Sequence, residues 1–325
     1  MNKKLYHPPA IVDELIVLDG LTRSGKFLLG KIVSNFQNVE YFQYPAAMEH
    51  IPYLYKMGML DRDNAIAYLK INANMSTYDM GVGRYLNTRV DDNSSILNAT
   101  DYKEYVARTV APDGNIAMER FKQLKRVPSV LTHEVLPLVD LYLEAFPYMK
   151  MINIKRHPVD LAHSWHSRRL GERFGADPLT FTPTFDYEGH ALPWFMMEWQ
   201  EQFAKMKPVE RVVKSITSLY RFDQKALESL DNQVKEKSIF EVSYENLIEK
   251  PLETVSLMGA FIGQVPHSNM DTILKRERCF RKLLIEDRKN KYDEIRNECD
   301  SSISDELKET SKAYEKYWAI DSIFN

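Results

Sequence analysis

The amino-acid sequence predicts an α/β fold: a mostly parallel central sheet flanked by helices. Three observations carry that expectation. Short apolar runs of strand length recur at 15–18, 129–132, 149–154 and 239–244. Segments with helical spacing stand between them. The motifs richest in basic and hydroxyl groups each follow one of these runs directly. Strands alternating with helices are satisfied by a parallel sheet with right-handed crossovers, which brings the strand C-termini to one edge, where ligands bind.

Taken in order, residues 15–18 (LIVL) form the first strand, ending in Asp19-Gly20, and the apolar run 27–33 forms the first helix. Residues 39–42 read as a second short strand, and 46–57 and 62–69 as helices. Residues 70–127 carry Asn72, Asn74, Gly81, Gly83 and the polar run 91–95, which predicts short helices and loops, a cap over a pocket, and disorder near 90–98. A strand at 129–132, a helix at 136–146 and a strand at 149–154 follow. The next helix starts at Pro158, where a missing N–H costs nothing, with Asp160 in its first turn, and runs toward Leu170. Residues 171–193 are rich in Gly, Pro and Thr and read as a long loop. Helices at 194–205 and 209–220, a strand at 239–244, a helix at 251–262 and a charged helical third ending near 314–318 complete the chain.

The whole chain, 1–325, reads as a single domain. A formal charge of -3 gives no basic footprint, so nucleic acid is not an expected partner. No apolar run approaches the roughly 20 residues that span a bilayer, and the N-terminus does not read as a signal peptide. With only two cysteines, Cys279 and Cys299, the expected location is cytoplasmic; the sequence leaves open whether they pair. Oligomeric state is not legible.

The first loop carries the chemistry. In Gly20-Leu21-Thr22-Arg23-Ser24-Gly25-Lys26-Phe27-Leu28 the glycines allow close backbone approach, and successive N–H groups at a helix start converge on an oxyanion. Arg23 adds a planar fork of donors, Lys26 a compact cation, and Thr22 and Ser24 hydroxyls. The spacing is that of a phosphate-binding loop, which makes the fold P-loop-like, but Phe27 stands where an NTPase has the Ser or Thr that holds magnesium. A P-loop NTP-dependent kinase therefore remains an alternative with its metal ligand missing, and a non-enzymatic nucleotide-binding scaffold is another.

Arg23-Ser24-Gly25 before an apolar helix is similar to the 5′-phosphosulfate loop of the sulfotransferase family. Arg156, Pro158-Val159-Asp160 and Ser164 resemble that family's second motif, with the serine eight residues after the arginine. The resemblance implies that Arg156 and Ser164 bind a nucleotide 3′-phosphate. Ser243-Tyr244-Glu245-Asn246-Leu247 resembles a late family segment near the nucleotide, leaving Tyr244 either as local packing or as a nucleotide contact. Phe280-Arg281-Lys282-Leu283 is similar to the family's closing Phe-Arg-Lys-Gly segment, which places Arg281 and Lys282 at the 3′-phosphate; leucine in place of glycine also permits a helix there. The resemblance implies 3′-phosphoadenosine 5′-phosphosulfate as donor, adenosine 3′,5′-bisphosphate as product, no metal, and a small-molecule or saccharide acceptor bearing a hydroxyl or amine. Residues 50–125 and 171–235 match nothing in the family and read as acceptor-side insertions.

Thr132-His133 matches the family segment that supplies a catalytic base. A histidine titrates near neutrality and can take an acceptor proton; His133 is equally placed to cap the helix at 136. Glu134 is an alternative carboxylate base. Arg23 and Lys26 can stabilise the charge that develops on the bridging oxygen. His163 and His166 lie three apart but lack a third metal ligand. Trp165, Phe174, Phe181, Phe185, Trp194 and Phe195 either line an acceptor cleft or fill the core.

Overall fold

The computed structural model describes residues 4–324. Its strands are β1 (Ile16–Gly20), β2 (Ser129–Leu131), β3 (Lys150–Lys155), β4 (Thr184–Tyr187), β5 (His190–Pro193) and β6 (Ile239–Ser243). Four of them form one parallel sheet in the order β2-β1-β3-β6, with Leu18 beside Leu131, Gly20 beside Ile154 and Lys155 beside Ser243. Every connection returns the chain to the same end, so residues 20–25, 132–134, 156 and 244 all leave the sheet at one edge.

The two faces of the sheet bury two cores, and the alternation along each strand sorts residues between them. Val17, Val130 and Met151 face the helices Arg62–Gly81, Pro158–His166 and Pro208–Ser229. Ile16, Leu18, Leu131, Ile152 and Ile154 face the helices Lys26–Val33 and Pro251–Ile262. Burial on both faces explains the continuous Ile/Val/Leu runs that stand for parallel strands in the sequence. Trp165, Trp194 and Phe195 are buried in the first core, with ring centroids 5.8 and 6.3 Å apart. They fill the core rather than line a cleft, and Phe174 and Phe185 pack partly against the same core while Phe181 is exposed.

Several local expectations differ from the structure. Residues 39–42 do not join the sheet: the Tyr41 and Phe42 amides donate to the Tyr105 hydroxyl and the Ser34 hydroxyl, leaving only isolated parallel bridges at Val39 and Gln43. The helix expected at 62–69 extends over Arg62–Gly81, capped by Asp61, with Ala73 and Met80 packed against the two cores through a stretch whose asparagines disfavour helix. The polar run near 90–98 is ordered by its own bonds, with Asp92 accepting from the Ser94 amide and hydroxyl and Asn87 donating to Ser94. The stretch read as a loop at 171–193 contains the antiparallel β4–β5 hairpin, turned by Glu188 and Gly189, both at positive φ. Residues 194–205 form tight 3₁₀ turns interrupted at Trp199. Cys279 and Cys299 are both free thiols. Among the described residues no helix is long and apolar enough to cross a membrane.

Candidate functional site

The first loop leaves β1 through two glycines that no other residue replaces easily. Gly20 has φ 153°, and a Cβ there would lie 2.4 Å from the Ile154 carbonyl oxygen. Gly25 has φ 107°, and its Cβ would lie 2.7 Å from the Tyr244 ring. Between them Arg23 also sits in the left-handed region, at φ 73°, an unfavourable conformation for a side-chain-bearing residue that surrounding contacts must maintain. Those contacts are visible: the Thr22 amide donates to the Glu134 carboxylate, and the Trp165 indole donates to the Thr22 carbonyl at 2.7 Å. The helix Lys26–Val33 starts at Gly25, and its first backbone bond runs from Leu29 to Gly25. Among the described residues the amides of Gly25, Lys26, Phe27 and Leu28 thus have no hydrogen-bond partner and sit where a helix start favours an anion. Phe27 and Leu28 turn their side chains to the second core, so they offer the site backbone only.

The arginines gather around this loop. Arg156, just past β3, donates from Nη1 to the Arg23 carbonyl at 3.0 Å and stands 4.7 Å over the Tyr244 ring. Arg23 Nε lies 3.5 Å from the Ser164 hydroxyl, which also receives Arg168 Nη1 at 3.2 Å. Arg281 donates to the Tyr244 hydroxyl at 2.9 Å. Among the described residues none of Arg23, Arg156, Arg168 and Arg281 forms an ion pair with a carboxylate. Burial, then the neighbouring Arg168 and Arg156, lowers the pKa of Arg23. Arg156 Nε and the Ser24 hydroxyl are buried without a partner. Crowded like charges, free amides and unsatisfied donors fit a ligand with more than one anionic group. Residues 281–284 form a loop before the helix Ile285–Glu298, so the leucine at 283 does not turn this stretch into helix; Lys282 is exposed there, with no partner among the described residues.

Lys26 takes a different place from the arginines. Its ammonium is buried and donates to the Gly20 and Leu21 carbonyls at 2.8 and 2.7 Å, beneath the loop. Burial lowers its pKa against the pull of Glu134, Asp19 and Glu49. It therefore braces the loop from inside. Glu134 is likewise buried, its pKa raised by burial, and its oxygen is used by the Thr22 amide, so it acts as a strut and not as a solvent-facing base.

On the other side of the loop stands His133. Asp19, at the end of β1, accepts from the Thr132 hydroxyl at 3.0 Å, the Val135 and Leu136 amides at 3.2 and 3.0 Å, and Asn153 at 2.9 Å. This fixes the exit of β2 and the place of His133. Glu49, buried on the helix Ala46–Lys56, accepts from the His133 amide at 2.9 Å and meets its Nδ1 at 2.8 Å. The Tyr44 hydroxyl donates to the other Glu49 oxygen at 2.8 Å. Burial would raise the Glu49 carboxyl, but the His133 ring and the Tyr44 hydroxyl keep it below its usual range. A carboxylate on Nδ1 leaves Nε2 as the free basic nitrogen. The histidine is not spent on capping: the turn that starts at Leu136 takes its side-chain acceptor from Asp19.

The arginine cluster also has an underside. Asp160 pairs with Arg288 at 3.0 Å and Lys291 at 2.9 Å. Burial alone would raise its carboxyl, yet Arg288, Arg156 and Lys291 hold it down at about 2. His157 donates from Nε2 to Glu315 at 3.1 Å, and its amide donates to Glu245, which the Tyr314 hydroxyl also reaches. His163 and His166 pair with Glu294 and Glu298 at 3.1 and 3.3 Å, tying two helices together. Glu49 and Arg168 were not legible as site residues. Arg168 had one signal, its place one helical turn beyond Ser164; Glu49 had none, because the fold alone brings it 84 residues along the chain to His133.

A family model described as a sulfotransferase domain matches residues 13–317. No curated protein sequence matches the chain. Among solved structures it is similar to the sulfotransferase domain from the curacin biosynthetic pathway, at 12% identity over 97% of this chain and 99% of that one, with a TM-score of 0.48. The sulfotransferase domain from the Synechococcus PCC 7002 olefin synthase gives 12% identity over 98% of both chains and a TM-score of 0.47. Sulfotransferase STF1 from Mycobacterium tuberculosis H37Rv gives 13% identity over 87% of this chain and 76% of that one, with a TM-score of 0.41.

Proposed function

This chain belongs to the sulfotransferase domain family, and on that premise we propose that it transfers a sulfuryl group from 3′-phosphoadenosine 5′-phosphosulfate to a hydroxyl or amine acceptor. The observation that carries the reading is the set of four guanidiniums free of carboxylates around the glycine loop, with the His133–Glu49 pair on the opposite side. The bound donor supplies an activated sulfuryl group, whose S–O bond to phosphate breaks as an S–O bond to the acceptor forms.

Each residue then has a role. The amides at 25–28, with Thr22 and Ser24, receive the 5′ end. Arg156, Ser164, Arg281 and Lys282 receive the 3′-phosphate, with Tyr244 holding Arg156 and Arg281 in place. Arg23 lies between the two groups and is the cation best placed to stabilise charge on the leaving phosphate oxygen. Lys26 supports that charge from beneath the loop. His133 removes the acceptor proton through Nε2, and Glu49 keeps the ring in the tautomer that can do so.

Calorimetric titration tests the reading. Adenosine 3′,5′-bisphosphate should bind without magnesium and more tightly than ATP. Tighter binding of ATP that depends on magnesium, with turnover of the nucleotide, would overturn the reading in favour of a kinase.

A further inference from the structure

A cavity of about 530 Å³ opens between the helices Pro208–Ser229 and Ser301–Trp318, over Lys155 of β3 and Glu241 of β6. Its volume lies within the range of small-molecule sites. Neither the glycine loop, nor His133, nor any of the four clustered arginines lines it. Its aromatic wall is Tyr220, Tyr314, Tyr317 and Trp318. Tyr317 and Trp318 close the last helix and meet edge to face, with centroids 5.1 Å apart and planes at 85°. Tyr314 lies 6.3 Å from Trp318 on the same helix. The Tyr317 hydroxyl donates to Glu241 at 3.1 Å, which steadies the ring and sets a carboxylate at the foot of this corner. The face of Tyr220 already has a cation over it, the Lys155 ammonium at 5.7 Å.

The charges around the cavity differ in what they already hold. Lys155 is paired with Asp223 and Arg221 with Glu198 at 2.5 Å, carboxylates that do not line the cavity. Glu309 pairs with Lys312 at 2.9 Å. Glu228 accepts a neutral amide, from Gln224 at 2.8 Å, and Glu241 has Lys155 no nearer than 3.9 Å. Among the described residues Lys235 is the one lining cation with no carboxylate partner, and it stands against two acids, Glu228 and Glu241, that lack a close counter-charge. A bound anion would meet both acids. Among the described residues no three metal-ligating side chains converge, so the carboxylates do not form a cage for a metal ion.

We infer that this cavity is a second binding site, and that it takes an organic ammonium ion carried on an apolar body. Two rings at right angles offer a cation the negative π-face of one and the side of the other, the arrangement in which an ammonium is held without hydrogen bonds. Glu241 supplies the opposite charge that a partly desolvated cation needs. Leu227 and Ala313 give the apolar body a surface to lie on. The site is separate from the arginine cluster but shares a wall with it, because the Tyr220 hydroxyl donates to the Arg156 carbonyl.

The test is calorimetric titration of the full chain, at fixed ionic strength, with three probes that share one ring and differ in charge: benzyltrimethylammonium, benzyl alcohol and benzenesulfonate. The ammonium should bind about tenfold or more tightly than the alcohol, and the sulfonate least. Glu241→Gln and Tyr317→Leu should each weaken the ammonium about fivefold or more, and Glu241→Gln should also narrow its lead over the alcohol. Melting curves establish that the variants fold. If Glu241→Gln melts several degrees lower, Tyr317→Leu decides alone, since that ring is 65% exposed and little of the core rests on it. Equal binding of ammonium and alcohol, preference for the sulfonate, or no binding of the ammonium at millimolar concentration overturns the site. Ammonium binding that folded variants leave unchanged overturns its placement at this corner. None of these outcomes depends on whether the chain binds adenosine 3′,5′-bisphosphate, so the sulfuryl-transfer reading stands or falls separately.

Discussion

Replacing Arg156 with alanine should weaken adenosine 3′,5′-bisphosphate binding by about 10²–10³-fold. The magnitude follows from what the guanidinium does. One Nη1 bond, at 3.0 Å, goes to the Arg23 carbonyl, and its Nε is buried with no partner. A phosphate at this fork would gain charge-assisted bonds worth about 1.5–3 kcal/mol each. The bond to the Arg23 carbonyl and the contact with Tyr244 are present in free and bound protein alike, so they cancel. Two such bonds toward the lower end of that range give about 3–4 kcal/mol, which is the stated factor at about 1.4 kcal/mol per decade. Arg156→Lys keeps the charge but not the fork and should recover only part of the loss. Calorimetry at fixed ionic strength, with melting curves to establish folding, measures both variants. An alanine variant that folds and binds within about threefold of the parent would refute the argument from the unpaired fork.

Four further outcomes are expected. His133→Ala should reduce transfer by about 10²–10⁴-fold and leave bisphosphate affinity unchanged; full turnover by that variant would remove His133 as the base. Glu49→Gln keeps the side chain's shape but withdraws its charge from the imidazole, so kcat should fall with little change in acceptor KM. A proportionate change in both would point to binding instead. Gly25→Ala forces a Cβ into the Tyr244 ring at an unfavourable φ, and titration should show bisphosphate binding lost before any large drop in melting temperature. The Asp160 carboxyl, held at about 2, contributes about 2 kcal/mol of stability that is full above about pH 4 and lost as pH falls through about 2. Chemical denaturation across that window should show Asp160→Asn flattening the acid slope, and an unaltered slope would refute the assignment.

The sheet and the glycine loop were legible in the sequence because both rest on local rules. Apolar runs buried on two faces mark β1, β3 and β6, and left-handed backbone at 20 and 25 demands glycine. The family resemblance singled out Arg156 and Ser164, and the structure brings both to the glycine loop, Arg156 onto the Arg23 carbonyl and Ser164 beside Arg23 Nε. The far half of the site was not. Glu49 reaches His133 only after a helix from the unmatched region docks beside β2, and Lys26, which by type belongs with the phosphate cations, folds under the loop because three carboxylates surround it. The length of the helix Arg62–Gly81 was hidden for the same reason, since tertiary packing overrides weak local preference. The hairpin at 184–193 had a signal, glycine after an acidic residue between alternating side chains, that composition alone obscured.

The contacts beneath Arg156 set an order of events. Asp160 waits for Arg288, 128 positions later, and His157 waits for Glu315, 158 positions later. A chain growing from its N-terminus thus completes the glycine loop and Arg156 long before Arg288 can neutralise Asp160 or Glu315 can reach His157. On the proposed function, the nucleotide site is complete only when the C-terminal helices dock. The helix Ser301–Trp318, which carries Tyr314 and Glu315, is thus the last keel laid beneath Arg156, and it is held there by Leu307 in the core and by Tyr314 on Glu245.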